Sequence, residues 1–137
     1  MFNGILVAVD DSKPSGRALV AGASLGKVAD GPVRIVHMFE HAIGRGASYD
    51  IELREEAVAV VSKAVEEMRL EGLNPTGEVI DCETGHVAEA LVKAARQRGC
   101  DTIVLGTRGL SDVGSLLLGS VTHDVIRHFD GAVVVVR

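Results

Sequence analysis

Aromatic residues are nearly missing from this chain, which has no Trp, one Tyr and three Phe among 137 residues. Proteins that hold single-stranded nucleic acid stack its bases on aromatic side chains, and so few rings cannot build that platform. An excess of basic charge is missing too. Fourteen Lys and Arg stand against nineteen Asp and Glu, for a net charge of −5. A phosphate-tracking basic stripe therefore has no source, and no nucleic acid is expected as a partner. The two cysteines, Cys82 and Cys100, show no metal-ligand spacing and read as ordinary thiols of a reducing compartment. No apolar run approaches the ~20 residues that cross a bilayer, so no membrane contact is expected. No basic stretch precedes the apolar run near Met1–Asp10, so a signal peptide is not expected either, and the predicted location is cytoplasmic.

The residues that are present suit a folded domain. Hydrophobic residues make up 47% and charged residues 24%, and residues 1–137 are long enough to bury one core without a disulfide or metal. Five short apolar runs recur: Ile5–Val9, Val33–Phe39, Glu78–Cys82, Thr102–Leu105 and Ala132–Val136. They resemble parallel strands covered on both faces. Amphipathic stretches separate them. Ser12 is placed to cap a first helix that runs to about Val28. A second helix is predicted from about Tyr49 to Glu71, a third over His86–Arg98 and a last over Val121–Phe129. Alternation of this kind predicts a single α/β domain with a parallel sheet and helices on both faces. Ligands of such sheets bind beyond the carboxyl ends of the strands, where the strand order reverses.

One strand-to-helix connection is unusually long. It takes about fifteen residues and holds four glycines, Gly106, Gly109, Gly114 and Gly119, where 2 to 6 residues are usual. Gly109 lets backbone approach a ligand closely. Successive N–H groups of such a turn form an anion nest, and Gly119-Ser120 opens a helix whose free N–H groups favour phosphate. Arg108 adds a cation. The Walker pattern fails, because Ser115 or Ser120 stands where Lys is required. The Phe39–Tyr49 connection, with Gly44 and Gly46, is predicted to be a lid at the same end.

The pattern Gly106-x-x-Gly109-x(9)-Gly119-Ser120 resembles the nucleotide-binding signature of the universal stress proteins. The opening Ile5-Leu6-Val7-Ala8-Val9-Asp10-Asp11-Ser12, Gly85 before the third helix and the closing valines are similar to that family as well. The resemblance spans essentially the whole chain. It implies a Rossmann-like fold of the adenine nucleotide α-hydrolase-like type, with five parallel strands in the order 3-2-1-4-5. It implies ATP bound with Mg or Mn. Gly106, Gly109, Gly119 and Ser120 would then hold phosphates, with Leu105, Thr107, Arg108 and Val121 beside them. Ala8, Val9 and Asp10 would line the adenosine end, Asp10 also being the implied metal contact, and the Met38 backbone would meet adenine. A homodimer through the last strand, Ala132 to Val136, is implied too. In that family setting the chain is expected to be a stress-response regulator.

Three other readings are weighed at this level. Asp10, Asp11 and Asp81 suit a phosphorylated receiver, but that reading leaves the glycine loop unexplained and lacks the receiver's Lys after the last strand. A dimeric interaction module with incidental nucleotide, or a slow ATPase, would also fit. No arginine finger, Walker lysine or water-orienting base can be named, so binding rather than turnover is expected. The histidines His37, His41, His86, His123 and His128 show no ligand pairing and are expected to be solvated or capping residues.

Overall fold

In the structure, a computed structural model that describes residues 2–107 and 119–137, the chain begins its regular structure with β1 (Ile5–Ala8). Ile5, Leu6 and Val7 are wholly buried, which explains an apolar run without alternation. Then follow α1 (Lys13–Gly26), β2 (Val33–Gly44), β3 (Ala47–Asp50), α2 (Arg54–Leu70), β4 (Thr76–Glu83), α3 (Val87–Gln97), β5 (Thr102–Gly106), α4 (Ser120–His128) and β6 (Ala132–Val136). The parallel strands lie in the order β4-β2-β1-β5-β6. In the sequence-based count of five strands this is 3-2-1-4-5.

Alternate residues of the strands feed two cores. Ile5, Val7, Val33 and Ile35 pack with Ala18 and Leu19 of α1 and with Ala64 and Met68 of α2. Leu6, Val36 and Met38 pack on the other face with Leu91 and Ala95 of α3 and Val125 of α4. The chain crosses from one half of the sheet to the other between β1 and β5. That switch point leaves a crevice at their carboxyl ends.

Three sequence-based expectations need correction. The sheet has six strands, not five, because β2 continues past Phe39 to Gly44 and folds back as antiparallel β3. The predicted loop from Phe39 to Tyr49 is thus a hairpin. Its two turn residues, Arg45 and Gly46, both have positive φ (50° and 76°), as the tightest hairpin turn requires. Tyr49 belongs to β3, and α2 begins only at Arg54. β4 and β6 take the edge positions that the order 3-2-1-4-5 implies, but they are only partly covered, so their apolar runs did not mean burial on both faces.

The side of β2 on which β3 lies matters. Arg34, Ile35 and Val36 pair with β1 on one edge and with β4 on the other, and the β4 ladder continues unbroken to His41. His41 also pairs with Asp50 of β3. β3 therefore occupies the β1 edge, in line with β1 and beyond its carboxyl end.

A charged clasp holds the hairpin. His41 Nδ1 bonds Asp50 Oδ1 at 2.6 Å and its Nε2 bonds Asp81 Oδ1 at 2.9 Å. Arg54 donates to the same Asp81 oxygen at 2.5 Å and lies 4.1 Å over the Phe39 ring. Hydrogen bonds to Asp81 and then Asp50 raise the His41 pKa above its ordinary 6.5. The bond from His41 holds the Asp81 carboxyl below its ordinary 3.8, and the bond from Arg54 adds to this. The histidine contribution is fully present below pH 6.5 and is lost as pH rises through the raised folded value. The Asp81 contribution is present above 3.8 and is lost as pH falls through the lowered value. We expect hydrogen exchange of the β3 amides, corrected for intrinsic rates, to speed up as His41 deprotonates. In His41→Gln that extra pH step should vanish. A wild-type hairpin with no such step would show that the clasp does not hold β3.

Candidate functional site

The site is built first from the turn after β1. Asp10 Oδ1 accepts from the Ser12 N–H at 2.8 Å, and the Asp10 N–H donates to Ser15 Oγ at 2.7 Å. Ser12 Oγ caps α1 by accepting from the Ser15 N–H at 3.3 Å. Three short side chains thus close the turn on itself and fix where the α1 N-terminus stands. Gly106, at the end of β5, lies against that first helical turn. A Cβ at this glycine would meet the Pro14 carbonyl carbon and oxygen at 2.5 Å.

The other wall comes from α4. Its N-cap is Gly119, which has no side chain to accept from the first N–H groups of the helix. Thr107 lies just past β5, and its N–H donates to the Val136 carbonyl at 2.8 Å, so the exit from β5 is tied to β6.

These elements enclose a cleft of about 280 Å³ at the carboxyl ends of β1 and β5. Ala8, Val9 and Asp10 line it from the first strand and turn, and Met38 from β2. Leu105 and Gly106 line it from β5, and Gly119, Ser120 and Val121 from the start of α4. Thr107 is not among the lining residues, its backbone being turned to β6. Arg108 and Gly109 lie outside the described residues, as does Gly114.

Several lining residues were not anticipated: Ser12 and Ser15, His37 and Glu40 of β2, and Val87 and Leu91 of α3. His37 is the informative one. It is buried, whereas a solvated or capping role was expected. Its Nδ1 donates to the Val9 carbonyl at 2.7 Å, and its Nε2 faces Glu52 Oε1 at 2.5 Å. The carbonyl can only accept, so Nδ1 is the donor toward Val9. The signal was in the strand phase. Val33, Ile35, His37 and Phe39 occupy alternate positions of one buried face, and a histidine in that phase must find partners inside the fold.

Among the described residues no group of three His, Cys, Asp or Glu comes together to hold a metal, so the acidic trio of a receiver is not assembled there. Asp81 instead bonds His41 and Arg54 at the sheet edge. Cys82 and Cys100 are free thiols, and burial pushes Cys82 up to about 11. Among the described residues no helix is long and apolar enough to cross a membrane.

Comparison with known proteins agrees with the geometry. The model of the Universal stress protein family matches residues 1–137. A universal stress protein of Thermus aquaticus is 34% identical over 141 residues, with both chains covered completely. The solved structure of a universal stress protein from Archaeoglobus fulgidus superposes with a TM-score of 0.80 at 28% identity, again over both chains in full. A universal stress protein from that organism, solved in complex with dAMP, gives 0.75 at 26% identity and the same coverage.

Proposed function

Because the chain belongs to the universal stress protein family, we propose that it binds ATP with a divalent cation in this cleft and acts as a cytoplasmic stress-response regulator by binding rather than turnover. The observation that carries the proposal is the meeting of the β1–β5 switch point with a helix N-terminus whose cap has no side chain. Phosphate oxygens can take the place of that cap, accepting from the first N–H groups of α4 and from Ser120 Oγ. A relative solved with dAMP supports an adenine nucleotide as the ligand.

Of the lining residues, we assign Gly106, Gly119, Ser120 and Val121 to the phosphate end, with Leu105 beside them. Thr107, Arg108 and Gly109 are assigned there from the glycine signature and not from the cleft lining. Ala8, Val9 and Asp10 take the adenosine end, with the Met38 backbone toward adenine. Asp10 and Glu40 both bring carboxylates to the cleft, and among the described residues no group of three metal-ligating side chains comes together. That suits Mg or Mn held mainly by phosphate oxygens and water, with Asp10 as the proposed protein contact, and not a cation caged by protein alone. The proposed assembly is a homodimer through β6.

Calorimetric titration with ATP tests the proposal. We expect micromolar affinity, tightened by Mg. ATP at a hundred times its Kd should stabilise the fold by about 2.7 kcal/mol and raise Tm by roughly 10 °C. Among the described residues a Cβ at Gly119 would meet nothing within 4 Å, so Gly119→Val should leave the unliganded Tm unchanged while weakening ATP about tenfold. Absence of heat and of thermal shift in the wild type would end the nucleotide proposal. Equal affinity with Mg and with EDTA would remove the cation from it.

A further inference from the structure

The hairpin has two unlike faces at the mouth of the cleft. Residues directly opposite in an antiparallel ladder share a face. Tyr49 lies opposite Ala42, and Asp50 lies opposite His41. The Ile51 N–H donates to the Glu40 carbonyl at 3.3 Å, which carries the register one residue further. Strand alternation puts Ala42, Glu40 and Met38 on one face; Glu40 and Met38 line the cleft, as does His37 from the other face where it meets Val9. Tyr49 and Ile51 share the face of Glu40 and Met38 and lie just outside the lining, Ile51 directly beside Glu40. Asp50 and Glu52 stand behind, bonded by His41 and His37. The hairpin is thus bolted from the rear by two histidines, and β3 is held beyond the end of β1, above Val9 and Asp10. Its front presents two large apolar side chains, Tyr49 and Ile51, 59% and 57% exposed.

We propose that Ile51 and Tyr49 form the ceiling over the base end of this cleft, so that it selects a nucleotide carrying a flat purine ring over a polyphosphate that has none. The inference rests on the nucleotide reading of the cleft and adds the part of the ligand that the strap recognises. A ring face entering beneath the strap removes these side chains from water and leaves every hydrogen bond at its rear intact.

The chain supplies its own reporter. Tyr49 is the only Tyr and there is no Trp, so intrinsic fluorescence excited at the tyrosine band reports this position above all. ATP should quench it beyond the loss seen with free tyrosine amide at equal absorbance. Ile51→Ser, at an exposed site outside any helix or strand, should keep Tm and weaken ATP about tenfold. Its affinity for inorganic triphosphate, measured by competition against ATP, should stay within about twofold of wild type. Tyr49→Ala should behave like Ile51→Ser. If ATP binds by calorimetry but fluorescence and both variants' affinities are unchanged, the ceiling is wrong and the cleft stands. An equal loss of triphosphate and ATP in Ile51→Ser also overturns it, since the strap would then act on the whole site. If the wild type binds no ATP, the nucleotide reading fails and the ceiling with it.

Discussion

Gly106→Ala is expected to lower stability by about 2–3 kcal/mol and Tm by roughly 10 °C, with loss of ATP binding at temperatures where the variant is still folded. The added methyl would sit 2.5 Å from the carbonyl carbon and oxygen of Pro14 and 2.9 Å from the Pro14 Cβ. These atoms belong to the first turn of α1 and cannot rotate aside as the tip of a long side chain can. The helix must move away from β5. Its N-terminus is joined to Asp10 and Ser12 through the hydrogen bonds of the β1–α1 turn, so the adenosine end of the cleft moves with it. Gly119→Ala is the control, because its methyl meets nothing within 4 Å among the described residues. Thermal unfolding of the two variants side by side checks the argument. A Gly106→Ala protein that melts within about 1 °C of wild type would show that α1 gives way at little cost.

The second large effect is expected at the sheet edge, where Val135→Pro should separate the proposed dimer and leave the protomer folded. The Ala132 N–H donates to the Asp101 carbonyl, and the Val136 carbonyl accepts from the Thr107 N–H. A residue's N–H and C=O point to the same side of a strand, so Ala132, Val134 and Val136 address β5. Val133 and Val135 then address the open edge. Proline at 135 removes an outward donor and no bond to β5, which is where edge strands tolerate it. Charged substitutions discriminate less well, because all five residues of β6 are partly buried and the four valines, Val133 to Val136, pack on the two cores. The lost packing at 135 should cost about 1 kcal/mol. Sedimentation at about 50 µM should show a dimeric wild type and a folded monomeric variant. A monomeric wild type, or a variant that stays dimeric, would remove the β6 interface.

Much of this fold was legible because its central strands have no exposed face. Ile5–Val9, Val33–Phe39 and Thr102–Leu105 are mostly apolar, with Arg34, His37 and Thr102 as the exceptions, and the structure buries nearly all of their residues on both sides. The same rule misled at the edges. The valines of β6 and the Val79-Ile80 pair of β4 resemble central strands in sequence, but only a neighbour on both edges makes a strand central, and pairing is not written in one strand's residues. β3 was invisible for a different reason. Ala47-Ser48-Tyr49-Asp50 is exposed throughout, so it carries no apolar alternation, and it exists because the Arg45-Gly46 turn and the His41 clasp hold it to β2. The false start of α2 at Tyr49 has the same origin. In the cleft, the glycines and the β1–α1 turn were legible through what their backbone must do. His37 and Glu40 were not, since a polar side chain inside a strand declares its purpose only when its partners are known. Arg108 and Gly109 lie outside the described residues.

The bond from the Thr107 N–H to the Val136 carbonyl joins the exit of the β5 strand, which leads into the glycine connection, to the end of the strand assigned to assembly. One backbone contact therefore belongs to both proposed equilibria, ligand binding and self-association. If β6 pairs and the connection binds phosphate as proposed, a displacement of β6 on pairing would be felt where that connection begins, and a ligand that fixes the connection would be felt at β6. Linkage then makes the effect symmetrical: whatever factor nucleotide applies to the dimer constant, dimerisation applies to the nucleotide constant. We expect that factor to differ from one, so that titrations run at low and at high protein concentration give different nucleotide affinities. Protein concentration would then be a second input to the site, alongside ligand concentration.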